Sequence, residues 1–255
     1  MRTLNIREFP PLSYACNEAV NTLCTNLSFA GAEVRKIMIT SCHAAEGKSF
    51  LSMNIMRMFA KFGKTVVLID ADMRRSMISA RYMLDYDSAE EKWGLSHMLA
   101  GMVTEEQVLY QTNIAGAYMV PVGREVSNPL PLLNAPRFAQ LLDHLAQQVD
   151  YVIVDAPPVG LVIDAAQIAK NCDGSLIVVN YNSVRRQELI DVKEQLEQTG
   201  CPILGTVLNM VDYDNYLSKK YYYIYSYLYT PYSYLYTLYS GMTFFRHCHN
   251  ILMTL

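Results

Sequence analysis

One segment constrains the fold of this chain more than any other: an apolar stretch at 36–40 leads through small residues into Gly47-Lys48-Ser49. The pattern predicts a buried strand, a tight loop and a helix, because apolar side chains then recur at helical spacing until a glycine ends them. In such a loop, backbone N–H groups and the helix amino terminus bind phosphate, the lysine reaches the terminal phosphates and the serine binds Mg²⁺. The strict phosphate-loop pattern has a glycine where Cys42 stands, so the tripeptide by itself also fits a polar helix start.

Strand patterns rich in valine and isoleucine alternate with amphipathic helix patterns from residue 36 to residue 208. This alternation predicts an α/β fold of the P-loop type, with a mostly parallel central sheet and helices on both faces. A length of 255 residues suits one such domain, which we assign to residues 1–212, followed by a tail at 213–255. Ligands of such sheets bind beyond the carboxyl ends of the strands.

Acidic residues stand at the ends of two further strand patterns. Asp70 and Asp72 follow the second strand, and Asp155 ends a later one that begins at Tyr151. Carboxylates at this edge of a sheet can hold Mg²⁺ or accept a hydroxyl proton. A single aspartate after a strand is usually only a helix cap. Three strand ends that carry Lys/Ser, Asp/Asp and Asp predict a shared site for nucleotide phosphates and Mg²⁺.

The composition changes abruptly at residue 213, because twelve of the nineteen tyrosines fall within residues 213–239. We predict a low-complexity, flexible, tyrosine-rich tail. Alternating tyrosines also fit an edge strand, and the uncharged stretch 221–245 has the length of a membrane span. Against a span, strongly apolar residues are few, tyrosine prefers the membrane interface, and Pro231 interrupts the run.

Composition excludes several functional classes. The net charge of −3 and the pI of about 6.0 give no basic field, so no nucleic-acid partner is expected. Six cysteines without a C-x-x-C pair predict neither a disulfide framework nor a zinc site, and they suit a reducing cytoplasm. The amino terminus has no apolar segment of signal-peptide length.

Together these motifs resemble the bacterial tyrosine kinases, the BY-kinase family, and within it the cytoplasmic CpsD/CapB-type subunits of capsule and exopolysaccharide synthesis. The resemblance extends over nearly the whole chain. It rests on residues 25–27, 41–49, 69–74, 94–96, 128–129, 155–158, 207–209 and the terminal tyrosine cluster. It implies a P-loop kinase that uses ATP and Mg²⁺ to phosphorylate tyrosines, its own tail included, and that regulates polymerisation and export of a polysaccharide.

The resemblance also implies roles for individual residues. Of Asp70 and Asp72, one is expected to orient or deprotonate the acceptor tyrosine, and the sequence leaves open which. Asn209 is expected to contact the adenine edge, although an asparagine that ends a strand in a turn fits as well.

The expected catalytic residues are Lys48, Asp70, Asp72 and Asp155. The expected Mg²⁺ ligands are Ser49, Asp70 and Asp155. The expected nucleotide contacts are Ala45, Glu46, Gly47, Lys48, Ser49, Phe50, Arg74 and Asn209. The candidate phosphate acceptors are Tyr221, Tyr222, Tyr223, Tyr225, Tyr227, Tyr229, Tyr232, Tyr234, Tyr236 and Tyr239.

The chain departs from the family pattern at two places. The family commonly has Pro-Gly where this chain has Ala44-Ala45, which predicts a less adaptable loop and weaker ATP binding. The Glu-x-x-Arg-x-x-Arg motif of ring assembly appears here as Glu18, Asn21 and Cys24, and neither replacement forms the paired hydrogen bonds of arginine. A homo-oligomeric ring is therefore expected to be weakened. The resemblance further implies a separate transmembrane activator, a polysaccharide co-polymerase, that recruits the cytoplasmic kinase to the inner face of the membrane.

Two other functions stay open at the level of sequence. A P-loop switch ATPase of the division-site or partition type shares the fold, but His43 stands in place of its signature lysine. That class also gives no reason for a tyrosine-rich tail. The second alternative is a non-catalytic scaffold that binds nucleotide weakly through a degenerate loop. Formation of phosphotyrosine from γ-labelled ATP separates a kinase from both.

Overall fold

The computed structural model describes residues 2–86, 91–160, 162–181 and 183–210, together with the backbone of 244–246 and 251–254. The tyrosine-rich segment at 213–239, and with it every candidate phosphate acceptor, lies outside the described residues. The predicted domain boundary after residue 212 lies outside them as well.

The described strands form one eleven-stranded sheet in the order β10-β11-β9-β8-β2-β7-β3-β6-β5-β1-β4. The strands are β1 Arg2–Ile6, β2 Lys36–Ser41, β3 Val66–Asp70, β4 Leu84–Tyr86, β5 Tyr110–Thr112, β6 Ala117–Val120, β7 Tyr151–Asp155, β8 Gly174–Asn180, β9 Ile203–Asn209, β10 Phe244–Arg246 and β11 Ile251–Thr254. The six strands from β9 to β6 in that order run parallel to one another.

Helices of very different length connect the strands. They are α1 Tyr14–Phe29, α2 Lys48–Lys61, α3 Ile78–Arg81, α4 Leu95–Leu99, α5 Glu105–Val108, α6 Leu130–Leu133, α7 Pro136–Gln148, α8 Asp164–Ala169 and α9 Arg186–Glu197. Across the described ranges, none of them combines the length and the apolar character needed to cross a bilayer.

The sheet lies between two apolar cores. Strands β2, β3, β7 and β8 are buried along almost their whole length, as expected of strands that helices cover on both faces. On one face α1 and α2 contribute Val20, Leu51 and Phe59 to the first core. On the other face α7 and α8 contribute Phe138 and Ile168 to the second. The predicted α/β fold with a mostly parallel sheet is confirmed.

Burial of α2 fixes the position of the loop that precedes it. Leu51, Ile55 and Phe59 share one side of the helix and are almost completely buried against the sheet. Each such side chain contributes about 1.5–3 kcal/mol when it leaves water. Because β2 is also a central strand, both ends of the loop at 42–47 are held by packed elements.

The register of the parallel strands brings the predicted acids together. In the β3–β7 pair Asp70 lies opposite Asp155, and in the β2–β7 pair Ile39 lies opposite Asp155. The carboxyl ends of β2, β3 and β7 therefore meet at one edge of the sheet, beside the loop that leads into α2. This is the edge at which ligands of parallel sheets bind.

Several elements differ from the sequence expectations. The sequence pattern predicts the first helix from Glu18 to Ala30. Helix α1 instead begins at Tyr14, because the Ser13 hydroxyl caps it by accepting the Cys16 N–H at 3.2 Å. Strands β1, β4 and β5 extend the far edge of the sheet with partly antiparallel pairing. With three residues each, β4 and β5 are too short for a period-2 pattern to reveal. At the other edge β11 pairs antiparallel with β9, so part of the predicted tail adds to the sheet.

Candidate active site

The loop between β2 and α2 places two residues in left-handed backbone conformations. Ala45 has φ of 63° and Gly47 has φ of 95°. At Gly47 the backbone also approaches Asn209 closely, since a Cβ on that glycine would lie 2.0 Å from the Asn209 side-chain nitrogen. Ala45 adopts this conformation without the freedom of a glycine, so the loop holds a residue with a Cβ in a costly backbone region.

Glu46 and Asn209 support this loop from beneath. The Glu46 carboxylate is buried and accepts the backbone N–H groups of His43 at 2.7 Å and Asn180 at 3.2 Å. The Asn209 amide donates to the Glu46 carbonyl oxygen at 2.9 Å. Both residues were predicted to contact nucleotide, and the structure places both side chains inside the loop's own hydrogen-bond network. The adenine role of Asn209 stays a prediction.

Two serine hydroxyls of α2 bind the carboxylate at the end of β7. The Ser49 hydroxyl donates to Asp155 Oδ2 at 2.6 Å, and the Ser52 hydroxyl donates to Asp155 Oδ1 at 3.0 Å. Ser52 was not predicted, although it lies one helical turn after Ser49 and helical spacing alone places the two on the same face. The structure thus joins the predicted phosphate loop directly to the predicted third acid.

Burial dominates the electrostatics of the two strand-end acids. Burial raises the pKa of Asp155 to about 6, and the charge of Lys48 followed by the Ser49 hydrogen bond opposes the rise. The pKa of Asp70 is raised well above its ordinary value, first by burial and then by the neighbouring Asp155 charge. Two carboxylates held this close in a dry site strongly resist double ionisation.

Asp70 and Asp72 differ in their surroundings. Asp70 is 1% exposed, and its Oδ2 accepts a short hydrogen bond from the Ser76 hydroxyl. Its Oδ1 has no hydrogen-bond partner among the described residues. Asp72 lies on the wall of the cleft described below, where its Oδ1 accepts the Arg75 N–H at 3.2 Å.

Arg74, predicted to contact nucleotide, is engaged by protein groups. Its Nε and Nη2 atoms donate to the two oxygens of Asp164 at 2.5 and 3.1 Å, and its Nη1 donates to the Ser127 carbonyl oxygen at 2.8 Å. Asp164 is 1% exposed, so this two-point pair holds the segment after β3 against the start of α8. The sequence gives no local signal for this partner, which lies in a distant part of the chain.

A cleft of about 900 Å³ lies between the loop that leads into α2 and the segment that follows β3. This volume is in the range of small-molecule and cofactor pockets. Six of the eight predicted nucleotide contacts line it, whereas Glu46 and Asn209 lie beneath it. The lining residues are Ala44, Ala45, Gly47, Lys48, Ser49, Phe50, Asp72, Arg74, Arg75, Met77, Ala80, Arg81, Pro157, Pro158, Val162 and Met210.

Oxygen groups at the cleft and buried beneath it fit a hard cation that is only partly held by protein. Ser49 and Asp155 offer oxygen donors that already contact each other, and Asp70 Oδ1 is a buried acceptor without a partner. Among the described residues, no three histidine, cysteine or acidic side chains form a complete metal cage. Mg²⁺ typically binds through one or two carboxylates plus substrate phosphates rather than in such a cage, so this donor set fits Mg²⁺ bound with a nucleotide.

Comparison with known proteins gives consistent matches. Residues 37–235 match the CbiA family, the CobQ/CobB/MinD/ParA nucleotide binding domain. The tyrosine-protein kinase CpsD of Streptococcus pneumoniae is 38% identical over 195 residues, which cover 76% of this chain and 84% of CpsD. The kinase domain of Escherichia coli tyrosine kinase ETK aligns with a TM-score of 0.73 and 31% identity, over 87% of this chain and 80% of that domain. A more distant match is the septum site-determining protein MinD of Pyrococcus horikoshii OT3, complexed with Mg-ADP. It aligns with a TM-score of 0.59 and 22% identity, over 69% of this chain and 70% of that one. At this identity the match shows a likeness of fold alone.

Proposed function

Because this chain belongs to the bacterial tyrosine-protein kinases represented by CpsD, and is therefore a protein-tyrosine kinase, we propose that it phosphorylates its own carboxyl-terminal tyrosines with ATP and Mg²⁺. One observation carries the proposal: Lys48 and Ser49 lie beside the paired carboxylates Asp70 and Asp155 at a single edge of the sheet. Phosphoryl transfer needs little covalent chemistry from the protein, so positioning and charge neutralisation of this kind supply most of the catalysis.

Each residue has a role that follows from its place. Lys48, the first residue of α2, contributes a positive charge at the cleft and neutralises charge on the transferred group. Ser49 and Asp155 would hold Mg²⁺, with Asp70 beside them. The cation supplies further charge neutralisation on the phosphates when bound.

The acceptor side of the reaction falls to Asp72. This residue lines the cleft, so an incoming tyrosine hydroxyl can reach its carboxylate and give up its proton there. Asp70 is 1% exposed beneath the cleft and is assigned to the cation side of the site. This division is our proposal for the choice between the two carboxylates that the sequence leaves open.

The acceptors are proposed to be the tail tyrosines, which lie after β9 in the chain. Asn209 ends β9 at the edge of the site, and the tyrosine-rich segment begins four residues later, at Tyr213. A tail attached at this point is kept at high local concentration around active sites, its own or that of a neighbouring subunit. The proposed acceptors are those named above, from Tyr221 to Tyr239.

Regulation is proposed to come from outside the chain. The kinase acts in the cytoplasm, is recruited to the inner face of the membrane by a separate transmembrane activator of the co-polymerase type, and gates polysaccharide polymerisation and export. Clustered subunits place one tail in a neighbour's site, and each phosphate adds about −1.5 to −2 charge. Repulsion among several phosphates then loosens the assembly, which is already weakened because Asn21 and Cys24 replace arginines. In support, Cys24 is fully buried in the core.

The direct test is to incubate the purified chain with γ-labelled ATP and Mg²⁺, with and without the activator's cytoplasmic segment, and to measure phosphotyrosine and assembly size. We expect phosphotyrosine in the parent, more of it with the activator, and a smaller assembly after phosphorylation. ATP hydrolysis without phosphotyrosine supports a switch ATPase, and nucleotide binding without either reaction supports a scaffold. Full activity of a dilute monomer contradicts the proposed regulation.

A further inference from the structure

The carboxylate of Asp70 is held by an unusually small set of hydrogen bonds. Its Oδ2 accepts the Ser76 hydroxyl, while its Oδ1 is inaccessible to solvent and has no partner among the described residues. An ionised carboxylate offers about four acceptor positions, and buried polar groups are nearly always satisfied. The Asp72 backbone also donates a hydrogen bond to this carboxylate, and among the described residues the Ser76 hydroxyl is the side-chain group that holds it.

The chain returns to Asp70 through a tight turn after β3. Within it the Met73 N–H donates to the Ala71 carbonyl at 2.9 Å, and the Arg75 N–H donates to Asp72 Oδ1 at 3.2 Å. Ser76 follows directly, and its hydroxyl oxygen accepts the Ile78 N–H at 3.3 Å where α3 begins. A hydroxyl has one donor and two acceptor positions, so this acceptor role leaves its single proton for Asp70.

We propose that Ser76 is a positioning residue for the kinase reaction: its hydroxyl holds Asp70 Oδ2 so that Asp70 Oδ1 faces the Mg²⁺ and phosphate side of the site. The inference rests on the proposed function and adds a residue that no motif of the sequence marks. Ser76 touches neither the nucleotide phosphates nor the acceptor in this account. It acts through Asp70, which lies opposite Asp155 across the β3–β7 pair.

The charge distribution around Asp70 supports this role. Burial and the Asp155 charge both disfavour its ionised form, and the Ser76 hydrogen bond opposes them. Without the hydroxyl, Asp70 loses its side-chain hydrogen bond to Oδ2, while the backbone hydrogen bond from Asp72 and the repulsion from Asp155 stay. A carboxylate in that situation turns away from its neighbour, and this change removes the orientation needed at the cation side.

A purely structural role for Ser76 is the competing explanation, because the same hydroxyl caps the first turn of α3. Ser79 provides a matched control on that helix. It is exposed and does not line the cleft, so Ser79→Ala removes a hydroxyl from α3 without touching Asp70. Ser76→Thr is the conservative variant, since threonine keeps the hydroxyl that Ser76→Ala removes.

The experiment measures kcat, KM for ATP and ADP affinity for the full-length parent, Ser76→Ala, Ser76→Thr and Ser79→Ala, under the conditions in which the parent forms most phosphotyrosine. For Ser76→Ala we expect kcat to fall by about 10- to 100-fold, the loss typical of one hydrogen bond to a charged group. We expect KM and ADP affinity to change by less than about threefold, and Ser76→Thr to regain most of the lost rate. Ser79→Ala should match the parent.

A crystal structure of Ser76→Ala provides a second readout that does not depend on activity. The Asp70 carboxylate is expected to leave its parental orientation while α3 keeps its start. An unmoved carboxylate, a kcat within twofold of the parent, or equal losses in Ser76→Ala and Ser79→Ala would each overturn the inference. Absence of phosphotyrosine from the parent itself counts instead against the proposed function, and the crystal structure then still decides the role of Ser76.

Discussion

Replacement of Asp155 by asparagine is predicted to stabilise the nucleotide-free, Mg²⁺-free fold at pH 7 while it abolishes kinase activity. Asp155 is fully buried, and burial raises its pKa to about 6 from an ordinary value of 3.8. The folded chain therefore binds the Asp155 proton more tightly than the unfolded chain does. Asparagine keeps the shape of the side chain, and the hydroxyls of Ser49 and Ser52 can each donate or accept, so their contacts with residue 155 survive the change.

The magnitude follows from the two pKa values. A pKa difference of one corresponds to about 1.4 kcal/mol, so ionised Asp155 destabilises the fold by about 3 kcal/mol at pH 7 relative to a neutral side chain. The destabilisation is absent below pH 3.8, grows as the pH rises through the interval from 3.8 to about 6, and is complete above it. At pH 5 the advantage of Asp155→Asn should therefore be roughly half its value at pH 7.

Urea unfolding of parent and variant at pH 5 and pH 7, with EDTA and without nucleotide, measures the effect. Asp191→Asn is the matched control, because Asp191 is exposed on α9, and it should change stability by less than about 0.5 kcal/mol. Addition of ADP and Mg²⁺ should stabilise the parent and not the variant, which narrows or reverses the difference. Two results would contradict a destabilising effect of ionised Asp155. The variant could be less stable than the parent at pH 7 without ligand, or the difference in unfolding free energy between parent and variant could be independent of pH.

Three further substitutions test the site. Lys48→Met should lower phosphotyrosine formation by at least about 100-fold with an unchanged circular dichroism spectrum, and labelling at the parental rate contradicts the phosphate-loop assignment. Asp72→Asn should lower kcat by about 100-fold or more with a melting temperature within about 2 °C of the parent, and full transfer removes Asp72 from the catalytic residues. Gly47→Ala should weaken ADP binding measured by calorimetry. A Cβ at this position meets the Asn209 amide, and the left-handed backbone costs alanine about 1–2 kcal/mol. Unchanged ADP affinity contradicts the close approach of the Gly47 backbone to Asn209.

The fold was predictable where its signals are local. Apolar runs at β2, β3 and β7 and the helical spacing of α2 identify the strand–loop–helix unit and the two acidic strand ends, and parallel pairing then brings the acids to one edge. The structure places Asp70 opposite Asp155, which is the proximity the sequence implied. The family membership predicted from these motifs is confirmed as well.

The supporting contacts of the site were not predictable, because they join residues that are distant in sequence or lie in turns. Asp164 pairs with Arg74 across 90 positions, and Asn209 contacts Glu46 across 163. Ser76 reaches Asp70 only through a turn whose hydrogen bonds are set by backbone geometry. No periodicity records such contacts. The structure adds protein partners for the Glu46 and Arg74 side chains, and the nucleotide contacts expected of these two residues stay predictions.

Autophosphorylation of the tail is tested by a phosphosite map of the purified chain after incubation with ATP and Mg²⁺, with Lys48→Met treated in parallel. We predict phosphate on tyrosines between Tyr221 and Tyr239 in the parent and none in Lys48→Met. Phosphate confined to other positions, or a parent that hydrolyses ATP and carries no phosphotyrosine even with the activator present, would contradict it.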